Sequence, residues 1–291
     1  WLKHISVWWA TVPFCMAAPA VDAPDAHRAG KESRRGDGGA AAFRKGDRLL
    51  LAGAGPRVEA ELPEGLRAQA VLRFDTARHD LRGAVVSLLE RSGLGEFQDE
   101  DRSLERFLAP GSIFRSFSAR QKLRGYVSED ASFLGCYEAL VLGAVLPWLR
   151  ARCVECMGDA GPIPFSYQYP PTLRIQPGRS KEFKRPHRDA EYGHQVGELN
   201  FWMPLTNYSE MTRATLHVES SPGAEDYQPL AIDYGAIAAF HGTLCRHEVP
   251  ANTSEFTRIS LDFRVGIGNF FDREWTLEGV KAVHGRREVS L

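Results

Sequence analysis

The feature that most constrains this chain is a change of pattern near Ile163. From there on, short apolar or alternating segments recur at close spacing, each bounded by Pro, Gly, Asn or Asp. The spacing predicts eight strands, over residues 166–169, 173–176, 199–204, 214–219, 228–232, 236–240, 244–249 and 256–265. Strands this short, with little helix between them, bury an apolar face only by stacking sheet on sheet or by closing into a barrel.

The preceding stretch, residues 49–157, has helical periodicity instead. Leu81, Val85, Leu88 and Leu89 form one stripe of a helix expected over 77–91, and a weaker helix is expected over 103–108. A long helix is expected over 128–152, opened by Ser128-Glu129-Asp130 and closed by Arg150 and Arg152. Phe133, Tyr137, Leu140, Val141, Ala144, Val145 and Trp148 line its apolar face, and Pro147 is expected to kink or end it. It reads as a buttress against a sheet rather than a membrane or partner helix. The expected fold class is α+β, mainly β: a double-stranded β-helix, or jelly roll, buttressed by N-terminal helices.

Residues 1–48 read as a leader and linker. One Lys and one His precede a mostly apolar run over 5–18 ending in Ala17-Ala18-Pro19-Ala20, which resembles a secretory leader or the front of a transit peptide. Residues 21–48 are rich in Ala, Gly, Asp and Arg without apolar periodicity. Residues 49–291 are expected to form a single domain, with a helical flank over 49–160 and a jelly-roll core over 161–270. The expected location is cytoplasmic or organellar.

Thirty-six Lys and Arg against 37 Asp and Glu leave no basic footprint for nucleic acid or an anionic membrane surface. No nucleic-acid or membrane partner is therefore expected. Five cysteines do not make a disulfide scaffold. Cys153-x-x-Cys156 lacks a second pair at zinc-like spacing and reads as two ordinary thiols, and Gly53-Ala54-Gly55 lacks a phosphate-loop context.

The chemistry-bearing residues lie in the β half. His187 and Asp189, two apart, share one side of an extended segment, and His247 follows 58 residues later. Two imidazoles and a carboxylate make the facial triad that holds non-haem Fe(II) and leaves open coordination positions. His-x-Asp alone is common among surface polar pairs. What strengthens it is the stretch 256–264, where Arg258, Ser260, Asp262 and Arg264 alternate with Ile259, Leu261 and Phe263. An Arg and a Ser two apart present a guanidinium fork and a hydroxyl to one point, which suits a carboxylate. The alternative is an edge strand with a solvated polar face.

At these residues the sequence resembles the Fe(II)/2-oxoglutarate-dependent oxygenases, with His-x-Asp, a distal His and Arg-x-Ser in that family's order. Arg174-Ile175-Gln176-Pro177, Tyr192-Gly193-His194-Gln195 and the stretch from Gly197 to Thr206 are similar to the branch of streptomycin-biosynthesis type. The resemblance covers about residues 165–265. It implies Fe(II) on His187, Asp189 and His247, the distal carboxylate of 2-oxoglutarate on Arg258 with Ser260 assisting, O₂ as oxidant and ascorbate as reductant. The implied activity is a dioxygenase of hydroxylase type acting on a small polar metabolite, with succinate and CO₂ as co-products.

Further candidates follow from position. Glu198, Asn200 and Trp202 share a strand face; Asn200 is expected to help hold the co-substrate, and Trp202 to contact substrate. Arg174 and Tyr192 are expected to reach substrate, His194 to be a hydrogen-bonded loop histidine, and His217 and His241 to be structural. Two competing readings are a cupin-type metalloenzyme that does not use 2-oxoglutarate and a non-catalytic jelly-roll binding module.

Overall fold

The structure, a computed structural model, describes residues 58, 61–159, 161–209, 214–277 and 284–291. The sequence readings for residues 1–48 and for Gly53-Ala54-Gly55 lie outside the described residues.

A short helix α1 (Glu64–Arg67) and strand β1 (Ala70–Arg73) precede α2 (Leu81–Ser92). The Asp80 carboxylate starts α2 by accepting from the Gly83 amide, and Gly93 ends it in a left-handed conformation. These caps set the helix four residues later than the apolar stripe alone suggests. The segment expected as a helix over 103–108 is a single 3₁₀ turn leading into a two-stranded ribbon of β2 (Glu96–Phe97) and β3 (Phe107–Leu108).

The long helix expected over 128–152 is divided. Helix α3 (Phe117–Glu129) ends at Asp130, whose carboxylate accepts from the Phe133 amide and starts α4 (Ala131–Leu140). One π-helical turn, Val141–Val145, then joins α4 to α5 (Leu146–Met157). Pro147 falls in the first turn of α5, where its missing N–H costs little, so it breaks nothing. The stretch Ala131–Met157 is long and apolar enough to span a bilayer by composition alone. Its buried side chains are nonetheless spent on the sheet. Trp148 meets Phe201 edge-on, Tyr137 meets Phe263, and the Tyr137 hydroxyl donates to the Gln168 carbonyl.

The β half supplies β4 (Pro164–Gln168), β5 (Thr172–Gln176), β6 (Lys184–His187), β7 (Glu198–Pro204), β8 (His217–Val218), β9 (Gln228–Pro229), β10 (Ala236–Phe240), β11 (His247–Val249), β12 (Arg258–Ile267) and β13 (Arg286–Ser290). They form two sheets. The larger runs β1-β10-β7-β12-β4-β13 with β5 also on β12, and the smaller runs β6-β11-β8-β9. The fold is thus mostly β with helices on one side. The cupin-like barrel expected as the form of the jelly roll is corrected: among the described residues the two sheets do not close into a barrel. Expected strands over 214–219, 228–232 and 244–249 shrink to two or three paired residues each, too short to bridge the sheets.

Two apolar clusters follow. Ile259, Leu261, Phe263 and Val265 of β12 pack with Leu199, Phe201 and the helices on the outer side of the large sheet. Trp202, Ala238 and Phe240 of that sheet pack with Val218 and Val249 of the small one. Alternation therefore sends the even-numbered residues of β12, the charged ones, to the side on which the small sheet lies.

Candidate metal centre and anion pocket

His187 ends β6 and His247 begins β11, and the two are directly opposed in the antiparallel pair. The sequence did not mark β6 as a strand, since Lys184-Arg185-Pro186-His187 lacks apolar alternation. It lies at the sheet edge, where Pro is tolerated. Asp189 follows in a 3₁₀ turn closed by Gly193 in a left-handed conformation, and its amide donates to the Gly242 carbonyl at 2.8 Å. Gly242 is required: a Cβ there would stand 2.7 Å from the side chain of Asn200.

The three side chains converge. Ligand atoms from His187, Asp189 and His247 all lie within 4.8 Å of one another, and each residue is buried. The Nδ1 atoms of His187 and His247 face the carbonyls of Arg185 at 2.9 Å and Cys245 at 3.3 Å. That contact places the proton on Nδ1 and leaves an Nε2 lone pair on each ring. Both Nε2 atoms face Asp189 Oδ1, at 3.9 Å and 3.5 Å.

The other carboxylate oxygen, Oδ2, is fully committed. Asn200 Nδ2 donates to it at 2.6 Å, Arg264 Nε at 2.8 Å, and a terminal Arg264 nitrogen lies at 2.7 Å. Gln168 Oε1 accepts from the remaining Arg264 nitrogen at 3.1 Å. Burial alone would raise the Asp189 carboxyl, but the Arg264 guanidinium against it holds it well below the usual range. Burial, followed by the nearness of His247, pushes His187 down to about 3. Two imidazoles that turn Nε2 toward one carboxylate oxygen are the donor set a divalent first-row metal requires, so these residues fit Fe(II).

At the other end of the β12 inner face, Arg258 is 2% exposed and Ser260 fully buried. Among the described residues, none of the three guanidinium nitrogens of Arg258 has a hydrogen-bond partner, nor has the Ser260 hydroxyl or Oε1 of Gln176, which stands opposite Arg258 on β5. Burial, then the charge of Arg174, lowers Arg258 to about 10. A guanidinium buried with no acceptor costs several kcal/mol unless an anion meets it.

The remaining expected residues are placed as follows. Asn200, read as a co-substrate contact, holds the Asp189 carboxylate through Nδ2, while its Oδ1 is unpartnered. Trp202, read as a substrate contact, is buried in the inter-sheet cluster. Arg174 grips Asp262 through two nitrogens, at 2.6 and 3.2 Å. Tyr192 is 40% exposed, its ring edge-on to His187 at 5.4 Å. His194 faces buried Glu198 at 3.1 Å, and His241 contacts the Val196 carbonyl. Cys153 is buried and Cys156 exposed, both as free thiols. Sequence reasoning gave no role to Arg264 or Gln168. The signal for Arg264 was present in the β12 alternation, whereas Gln168 needed the strand register.

No protein-family profile matches the chain. A stretch of 94 residues is 33% identical to the streptomycin biosynthesis protein StrG of Streptomyces griseus, which is 32% of this chain and 43% of that protein. The chain thus matches less than half the length of that relative. Among solved structures, similarity extends to the non-heme monooxygenase ThoJ as its Ni complex, at 14% identity, TM-score 0.44, 73% of this chain and 80% of that one. It extends also to the non-heme alpha ketoglutarate dependent carbocyclase SnoK from nogalamycin biosynthesis, at 16% identity, TM-score 0.42, 73% and 87%. A Pseudomonas putida prolyl-4-hydroxylase is similar at 14% identity, TM-score 0.38, 68% and 91%.

Proposed function

We propose that this chain is an Fe(II)- and 2-oxoglutarate-dependent oxygenase of hydroxylase type acting on a small metabolite, akin to the streptomycin-biosynthesis branch. The observation that carries the reading is the buried, unpartnered guanidinium of Arg258 on the same strand face as Arg264, which clamps the His187–Asp189–His247 cluster. A cupin-type metalloenzyme that ignores 2-oxoglutarate has no use for that charge.

The residues divide the work. His187 Nε2, Asp189 Oδ1 and His247 Nε2 would hold Fe(II) on one face. Arg258 and the Ser260 hydroxyl would donate to the distal carboxylate of 2-oxoglutarate, a charge-assisted pairing that also fixes its orientation. Iron held there with 2-oxoglutarate and O₂ would supply oxidising chemistry toward a substrate C–H bond, with succinate and CO₂ as co-products. The protein contributes position and dryness. Asn200 and Arg264 keep Asp189 ionised and aimed, and the cluster of Trp202, Phe240, Val218 and Val249 excludes water between the sheets. Tyr192, half-exposed against His187, would meet substrate.

The test is iron stoichiometry together with succinate formation. Full-length protein with Fe(II), 2-oxoglutarate and ascorbate should bind one iron per chain and convert 2-oxoglutarate to succinate, slowly alone and faster with a substrate from a metabolite panel. Asp189→Ala should lose both properties. Succinate formation by wild type that persists in Asp189→Ala would overturn the reading.

A further inference from the structure

A cavity lined by further arginines lies beside the Arg258 end of β12, with Arg174 of β5 common to both. A cavity of about 280 Å³ opens between α3 and β5. Its apolar wall includes Phe114, Val127, Pro170 and Pro171, and Phe117 lies 71% exposed on its lining. Arg120 and Arg124, one helical turn apart on α3, both line it. Like charges at that spacing repel, and no acidic residue answers them: neither guanidinium has an ion-pair partner among the described residues, and no Asp or Glu is among the described lining residues. Arg174 adds a third guanidinium in the opposite wall, held in place by Asp262 beneath it. A concave, largely apolar site with a few convergent charges of one sign is the form a small-molecule pocket takes.

The cavity is also tied to the metal cluster. Thr172 in its wall accepts from Gln168 Nε2 at 3.0 Å, Gln168 Oε1 accepts from Arg264, and Arg264 clamps Asp189. Three consecutive hydrogen-bonded contacts thus lead from the cavity wall to the carboxylate of the metal triad. His284, also in the lining, is pushed down to about 4 by burial and then by Arg264, so it is neutral near pH 7 and leaves the positive charge to the arginines.

We propose that this cavity is the primary-substrate pocket and that its ligand is a small organic anion, a phosphate or carboxylate on an apolar or aromatic body, with Arg120 and Arg124 taking the anion. The assignment of the ligand as substrate rests on the oxygenase reading; the anion site itself rests on the cavity. Both arginines are exposed on a helix, where Ala is well tolerated, so their replacement leaves the fold intact.

The experiment is calorimetric titration of full-length protein with phenyl phosphate, benzoate and benzyl alcohol, alongside an anaerobic 2-oxoglutarate titration of the Fe(II) form. Wild type should bind one or both anions at least tenfold more tightly than the alcohol; which anion binds better separates phosphate from carboxylate substrates. The double variant Arg120→Ala/Arg124→Ala should lose at least tenfold in that anion affinity while its 2-oxoglutarate midpoint stays unchanged. Arg258→Ala should do the reverse. Anion binding that survives the double variant, or that disappears in Arg258→Ala alone, would overturn the pocket. If 2-oxoglutarate fails to bind wild type while the anion binds through Arg120 and Arg124, the pocket stands and the oxygenase reading falls.

Discussion

The two ends of β12 each bury an arginine on the same face of the strand, and they treat it in opposite ways. At one end, Arg264 spends its guanidinium on Asp189 and Gln168. Burial opposes its charge, but Asp189 and Asp262 more than offset this and raise it above its ordinary value. At the other end, Arg258 is as deeply buried and meets no acceptor, and burial with Arg174 beside it lowers it to about 10. One strand therefore carries a charge whose partner belongs to the fold and a charge whose partner must come from outside. In the proposed oxygenase, the first would serve stability and the metal, and the second a ligand.

This contrast is best broken by replacing each arginine with methionine. Arg264→Met leaves the Asp189 carboxylate buried without its cation and should cost about 3–5 kcal/mol of folding stability in the metal-free protein, read by urea denaturation. Arg258→Met removes a buried charge that has no partner. In the same measurement it should be neutral or stabilising by up to about 4 kcal/mol. If both variants lose stability equally, the two ends do not differ as described.

A smaller effect tests the Arg264 end alone. Asn200→Ala removes one of the donors that fix Asp189 and should weaken metal binding by about 10- to 100-fold with little change in fold, read by competition with a chelating dye. Loss of 2-oxoglutarate affinity with unchanged metal affinity would instead make Asn200 a co-substrate contact.

The smallest effect is in pH. His284 sits at about 4 in the folded protein, below its ordinary value of 6.5, so the unfolded chain takes up its proton first as pH falls. The contribution is fully present above about pH 6.5 and is lost as pH falls toward 4. Between pH 7.5 and 6 it amounts to less than about 1 kcal/mol. His284→Phe should flatten that part of the stability profile; an unchanged slope would mean that burial and the Arg264 charge do not lower this histidine.

How far the sequence foretold this arrangement depends on whether a feature was local. The β12 alternation and the His-x-Asp motif were visible because strand period and short spacing are local. Strand β10 was legible to the residue because Ala236–Phe240 is apolar throughout and bounded by turn residues. Strand β6 was not, because its polar, Pro-containing sequence is a strand only through its pairing with β11. The helix start expected at Ser128-Glu129-Asp130 falls within three residues of α4, but α3 before it was hidden, because Phe117–Glu129 buries only Leu123 and Val127 and so shows little apolar periodicity. The open two-sheet arrangement was missed because strand spacing alone does not report how few residues pair. Within the site, the Arg264–Gln168–Thr172 connection depends on register between β12, β4 and β5, which no single segment encodes.

The central claim is that Arg258 awaits a dicarboxylate while Arg264 does not. It is tested most directly by titrating 2-oxoglutarate into anaerobic Fe(II) protein and following the metal-to-ligand charge-transfer absorbance in wild type and in Arg258→Met. Loss of the charged partner should cost about 2–5 kcal/mol, moving the midpoint by roughly thirtyfold or more while iron affinity without co-substrate stays the same. A midpoint equal to that of wild type would contradict the account.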